Sequence, residues 1–220
     1  MIELKNVSKV YKGDTYETHA LRDLNLKIDD GAFVAVMGRS GSGKTTLLNI
    51  VGCMDNASDG TVLIDDIDVS KASAHKLDIV RRDKISFIFQ NYALMEQYTV
   101  YENIELPLKA RNFKNKDKKL MINAIMSRLG IEGLAKKYPG QISGGEQQRT
   151  AIARAFVADT RYILADEPTG ALDHMNAIEL IKIIKELRVT GKTILMVTHD
   201  REIAGFADKI IVLEDGTLRV

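Results

Sequence analysis

The sequence predicts an α/β fold: a mostly parallel sheet with flanking helices, preceded by an antiparallel β region and interrupted by a helical insertion. Three observations carry this. The short, nearly continuous apolar runs Phe33–Met37, Ile85–Phe89, Tyr162–Ala165 and Ile194–Val197 have the composition of strands buried on both faces. Helix-period segments follow most of them, at Lys44–Val51, Asn176–Arg188 and Arg201–Phe206, which is the alternation of a doubly wound core. From about residue 91 to 160 no strand run occurs, and Met121, Ile122, Ile125 and Leu129 stand at helical spacing instead.

The chain opens with strand-like alternation over residues 1–31, where Ile2, Leu4, Leu24, Leu26 and Ile28 sit between polar neighbours. Turns are expected at Lys12-Gly13-Asp14 and Asp29-Asp30-Gly31. Within the helical insertion, Lys109 to Lys119 is rich in basic residues and reads as a solvated helix face with a linker. A length of 220 residues suits a single domain spanning residues 1–220. With 31 basic and 30 acidic residues the net charge is +1, which gives no electrostatic argument for a nucleic-acid partner. The lone Cys53 cannot form an intrachain disulfide and reads as a small buried hydrophobe. No apolar stretch approaches the roughly 20 residues that span a bilayer, so any membrane role has to come through a partner.

Three motifs carry chemistry. Gly38-Arg39-Ser40-Gly41-Ser42-Gly43-Lys44-Thr45, between a strand and a helix, matches the phosphate-cradling loop G-x-x-x-x-G-K-[ST] and points to a P-loop NTPase core. Its glycines let backbone N–H groups face phosphate oxygens, Lys44 suits the β- and γ-phosphates, and the Thr45 hydroxyl suits Mg²⁺. Asp166 and Glu167 end an apolar strand, placing one carboxylate for Mg²⁺ and the other to polarise a water for attack on a γ-phosphate. Ser143-Gly144-Gly145-Glu146-Gln147 opens a helix, and the free N–H groups of such a start attract an anion.

With these residues on the page, the chain resembles the nucleotide-binding subunit of an ABC transporter over essentially its whole length. Ser143 to Gln147 is similar to that family's signature motif, with Ile142 and Glu146 as mild departures from the usual Leu and Gln. The resemblance implies ATP and Mg²⁺ as cofactors. It implies nucleotide contacts from Gly38 to Thr45, Thr46, and Ser143, Gly144, Gly145 and Glu146. It also implies that Tyr11 stacks on adenine, that Gln90 reaches Mg²⁺ and the attacking water, and that Asp173 belongs to the loop crossing to a partner subunit. Glu167 and His199, with Lys44 and Gln90, are the implied catalytic set. Thr45, Gln90 and Asp166 are the implied metal set.

The same resemblance implies a head-to-tail homodimer around ATP, in which the signature of one copy completes the P-loop site of the other. A membrane permease subunit is expected to dock near Asn91–Leu108, placing the chain at the cytoplasmic face of a membrane. The stretches Leu47–Asp55, Phe87–Tyr92 and Glu102–Leu108 resemble the lipoprotein-release, macrolide-export and antimicrobial-peptide-resistance branch. The implied function is therefore ATP hydrolysis powering export or extraction of an amphipathic substrate. The alternative is a mechanotransmitting ATPase in a signalling, resistance-sensing or cell-division complex without transport. A soluble ABC-type repair ATPase would insert long coiled coils between P-loop and signature, a translation type would usually carry two cassettes on one chain, and a small-molecule kinase would not need Ser143–Gln147 or His199.

Overall fold

The apolar runs form strands because they are buried on both sides. The computed structural model describes residues 1–13, 16–188 and 191–219, so Asp14 of the first expected turn lies outside the described residues. Strands β3 (Phe33–Met37), β6 (Ile85–Ile88), β7 (Tyr162–Asp166), β8 (Thr193–Val197), β9 (Lys209–Glu214) and β10 (Thr217–Arg219) form one sheet. Its order is β10-β9-β3-β8-β7-β6, parallel throughout except for the β9–β10 hairpin at one edge. Alternate residues feed two cores. Phe33, Ala35, Ile163, Ala165, Ile194 and Met196 face one, and Val34, Val36, Tyr162, Leu164, Leu195 and Val197 face the other.

The first core is covered by the helical insertion. Helices α3 (Val100–Ala110), α4 (Asn115–Leu129) and α5 (Gly144–Val157) fill it, and no strand interrupts them. Helix α3 starts in a capping box, with Thr99 accepting from the Glu102 amide, and buries Val100, Ile104 and Leu108 at a spacing of four. In α4 the expected stripe is buried at Ile122, Ile125 and Leu129, while Met121 packs only partly against the core. Helix α6 (His174–Arg188) begins earlier than the expected Asn176, because Asp173 accepts from the Asn176 amide and sets the start. Helix α7 (Arg201–Ala204) stops short of Phe206: Asp200 caps its first turn and Gly205 follows its last residue.

The second core lies under α1 (Lys44–Val51) and a four-stranded sheet of order β2-β1-β4-β5. Strands β1 (Ile2–Lys12) and β2 (Glu17–Ile28) pair antiparallel, as the alternation implied, with Ile2 opposite Ile28 and Leu4 opposite Leu26. Strands β4 (Asp59–Ile64) and β5 (Ile67–Asp68) and helix α2 (Ala74–Lys84) complete this layer and were not expected from the sequence. Together these elements are the P-loop NTPase core, antiparallel β subdomain and helical insertion anticipated above.

Candidate active site

Two parallel strands, separated by β8, deliver most of the predicted site residues. The chain turns from β3 into α1 through Gly38 to Gly43, and β7 ends at Asp166 across β8 from it. Between them opens a cleft of ≈780 Å³, lined by Tyr11, most of the P-loop, Thr45, Thr46, Gln90, Asp166, Glu167 and His199. Thr18, His19 and Ala20 of β2 and Val197 also line it. Thr18, His19 and Ala20 carry no motif of their own and line the site because β2 passes over the P-loop, whereas Val197 lines it as the last residue of β8.

The loop's backbone explains two of its glycines. Gly43 has φ 101°, and a β-carbon there would meet the Ala20 carbonyl oxygen at 2.3 Å. A β-carbon on Gly38 would meet the Leu213 carbonyl oxygen at 2.3 Å. Lys44 is 8% exposed and folds back over the loop, donating to the carbonyls of Gly38 (2.9 Å) and Arg39 (2.7 Å). Its ammonium is thus held at the centre of the loop by weak carbonyl partners that a phosphate can replace.

Burial raises the Asp166 pKa, and the neighbouring Glu167 charge adds to this. A hydrogen bond with Thr45 and the Lys44 ammonium pull the other way without cancelling it. Such a carboxylate, beside a hydroxyl and within reach of a glutamine, is a hard oxygen set of the kind a magnesium ion takes with phosphate oxygens and water. Among the described residues no cluster of three or more His, Cys, Asp or Glu could hold a metal by itself.

Glu167 sits in the left-handed region at φ 46°, and its amide donates to the Val197 carbonyl at 3.0 Å. This aims its side chain at β8's exit, where His199 Nδ1 lies 2.6 Å from Glu167 Oε2. Gln90 approaches from the other side. A β-carbon on Gly170 would stand 3.4 Å from Glu167 Oε2 and 3.6 Å from Gln90 Nε2. At the rim, Tyr11 donates its hydroxyl to Asp55 (2.8 Å), and Lys9 lies 4.8 Å above its ring centroid while donating to the same carboxylate (2.6 Å). The ring is thereby braced on one side and 40% exposed.

The remaining predicted site residues are elsewhere. Ser143, Gly144, Gly145 and Glu146 do not line the cleft. Ser143 caps α5 and is exposed. The Glu146 carboxylate accepts from the Ser143 amide (2.7 Å) and hydroxyl (2.8 Å), bonds that hold its pKa below the ordinary value. Asp173 likewise lies outside the cleft, where its carboxylate accepts from the Asn176 amide and side chain. The predicted site residues thus fall into two groups, one gathered in the cleft and one, at the start of α5 and at Asp173, apart from it.

The profile of the family described as "ABC transporter" matches residues 21–170. The chain is 41% identical over 218 residues to the uncharacterized ABC transporter ATP-binding protein YvrO of Bacillus subtilis, spanning 99% of this chain and 95% of that protein. It is 39% identical to the macrolide export ATP-binding/permease protein MacB of Neisseria meningitidis, but covers only 34% of that longer protein. Among solved structures, the ATP-binding cassette MJ0796, a dimer in a post-hydrolysis state bound to ADP and Pi, superimposes with a TM-score of 0.94 at 41% identity. That match covers 100% of this chain and 97% of that one; the relative of that name is from Methanocaldococcus jannaschii.

Proposed function

The chain belongs to the ABC transporter family, and on that premise we propose that it binds and hydrolyses ATP as one half of a head-to-tail pair that drives a separate membrane subunit. The observation that carries this is the split just described: Lys44, Gln90, Asp166, Glu167 and His199 converge on one cleft, while Ser143 and Gly145 stand apart from it.

Tyr11 offers its free ring face to the adenine, and the P-loop amides and Lys44 take the phosphates. Lys44 exchanges its two carbonyl partners for phosphate oxygens, a stronger charge-assisted pairing. Thr45, Asp166 and Gln90 would hold Mg²⁺, whose charge, when it is bound, neutralises the β- and γ-oxygens. Glu167 orients and polarises the attacking water as general base. His199 fixes the Glu167 carboxylate through the 2.6 Å contact and faces the γ-phosphate. Ser143 and Gly145 of a second copy close the site, so ATP lies in the interface and its hydrolysis releases the pair.

No helix of the described residues is long and apolar enough to cross a membrane. Docking centres on Asn91–Leu108, where Met95 and Tyr98 are exposed and Tyr92, Leu94 and Tyr101 are half-buried. An apolar groove of ≈340 Å³ lined by Met54, Arg82, Phe87, Pro107 and Ala110 adjoins this segment and suits an amphipathic helix. The likeness to the macrolide export protein MacB supports export, and the sequence resemblance to the lipoprotein-release and antimicrobial-peptide-resistance branch extends the proposed cargo to an amphipathic substrate such as a macrolide, a peptide or a lipoprotein.

Glu167→Gln should lower ATP turnover by about 10²-fold or more while leaving Mg-ATP binding intact. Light scattering should then find this variant dimeric with Mg-ATP and monomeric without it. A variant that stays monomeric would refute the shared site.

A further inference from the structure

Strand β4 runs beside β1 only part of the way. Among the described residues its pairing ends at Asp59, opposite Ser8. Strand β2 continues beside β1 to Lys12, with Thr18 opposite Tyr11. Past Ser8, the end of β1 and the start of β2 are therefore a two-stranded ribbon. A ribbon of this kind is marginally stable by itself, yet it carries Tyr11, the ring proposed above to meet the adenine.

The loop of residues 55–58, between α1 and β4, takes over where the ladder stops. The Ser58 amide donates to the Ser8 carbonyl (2.8 Å). Its hydroxyl accepts from the Val10 amide (3.0 Å) and donates to the Val10 carbonyl (3.3 Å). Asp55 accepts from Lys9 (2.6 Å) and its neighbour's amide (2.7 Å) on one oxygen and from the Tyr11 hydroxyl (2.8 Å) on the other. Lys9 also donates to the Asn56 carbonyl (2.7 Å). Its side chain is only 12% exposed, and an ammonium so far withdrawn from water needs such partners. Burial opposes ionisation of Asp55, but the bonds from Lys9, Tyr11 and the Asn56 amide outweigh it and hold the carboxyl below its ordinary range. The tyrosine needs this help, because the torsion that turns its ring is broad. Asp55 fixes the tip of the ring, and Lys9, 4.8 Å from the centroid, covers one face. Asp55 also turns back onto α1, its amide donating to the Asn49 carbonyl (3.2 Å). One helix thus carries Lys44 and Thr45 at its start and steadies Tyr11 through the loop at its end.

We propose that Lys9, Asp55 and Ser58 are positioning residues for the nucleotide base: they hold the ribbon against α1 and set the plane of the Tyr11 ring before the base arrives. This rests on the stacking role given to Tyr11 above. Their effect falls on recognition of the base, not on the phosphates or the chemistry. If the ring stands ready only about a tenth of the time without them, ATP affinity falls about 10-fold.

The test sets ATP against inorganic tripolyphosphate, which offers the phosphates without a base. KM and kcat for ATP, and the inhibition constant of tripolyphosphate, are measured for Lys9→Met, Asp55→Ala, Ser58→Ala, Tyr11→Leu and the double variant Tyr11→Leu with Asp55→Ala. Lys9→Met and Asp55→Ala should raise KM about 10-fold and Ser58→Ala about 3-fold. In all three, kcat and the inhibition constant should stay within about twofold of wild type. Asp55→Glu should recover part of the loss. Once Tyr11→Leu has removed the ring, Asp55→Ala should add no further rise in KM. If Asp55→Ala does not fold, Asp55→Asn, which keeps the size and loses the charge, is read in its place. Folded variants with wild-type KM overturn the proposal. So do a parallel rise in the inhibition constant of tripolyphosphate and losses that add in the double variant. Failure of the stacking reading is seen separately, as a Tyr11→Leu protein whose KM for ATP is that of wild type.

Discussion

Asp166 and Asp65 are both largely withdrawn from water, yet their charges act on stability in opposite directions. Burial raises the pKa of Asp166. Its stabilising contribution is therefore complete below the unfolded value near about 4 and is lost as pH rises through the folded value. At pH 7 the ionised form weakens the nucleotide-free protein. Asp166→Asn should accordingly raise the melting temperature of nucleotide-free protein at pH 7, an advantage that disappears below about pH 4. The same change should weaken Mg-ATP binding by about 10-fold or more. Calorimetry with and without Mg-ATP checks both, and a lowered melting temperature at pH 7 would contradict this account. For Asp65, burial opposes ionisation, but hydrogen bonds from Lys84, Tyr162 and the chain's amino group outweigh it and hold the carboxyl far below the usual range. Its contribution is present above the unfolded value and fades as pH falls. Asp65→Asn should cost about 2 kcal/mol at pH 7, with the gap to wild type narrowing in acid denaturation series below about pH 4. Neither behaviour was legible in the sequence. Asp166 was found there by its strand and its neighbour Glu167, whereas Asp65 sits in an Asp-Asp turn that signals nothing until β7 brings Tyr162 to it.

At the scale of elements, what could be read followed from how completely each segment is buried. The strands β3, β7 and β8 are continuous apolar runs, and their cores share residues alternately. The pattern was therefore unambiguous. Helix α2 buries only Leu77 and Val80 among eleven residues, so its period is too thin to stand out. Strand β5 has only two residues, β4 buries only Val62 and Ile64, and β9 is exposed at both ends, which hides their alternation. The site showed the same division. The P-loop and the Asp166-Glu167 pair were picked out by their own motifs and Tyr11, Gln90 and His199 by the family resemblance, whereas Thr18, His19 and Ala20 are positioned by a strand that the P-loop touches only in three dimensions. That contact gives a prediction for the turn into α1. Gly43→Ala needs φ 101° and drives a β-carbon to 2.3 Å from the Ala20 carbonyl oxygen. It should cost about 2 kcal/mol or more and abolish fluorescent-ATP binding, with far-UV circular dichroism retained. Binding at the wild-type level would show that the loop tolerates a different path.

At the scale of the whole molecule, the proposed head-to-tail pairing makes one chain incomplete for catalysis, because Ser143 and Gly145 lie outside the cleft they are proposed to close. Specific ATPase activity should thus fall as the protein is diluted at fixed Mg-ATP, and activity proportional to protein concentration over a wide range would argue for a self-sufficient chain. The same architecture has a consequence for how the protein opens. Ala20 of β2 faces Gly43 of the P-loop and Gly216 of the β9–β10 turn, where a β-carbon would come within 2.3 Å and 2.8 Å of its carbonyl oxygen. The Arg22 amide donates to the Gly216 carbonyl, and the Gly216 amide to the Ser42 carbonyl. The antiparallel sheet, the nucleotide loop and the sheet edge thus share one seam of backbone. Amide hydrogens of Arg22 and Gly216 should exchange with deuterium as slowly as those of β3, all released by a single cooperative event. Bound ATP, held at the P-loop and Tyr11, would then slow exchange along the sheet edge at β9 and β10, which do not line its cleft.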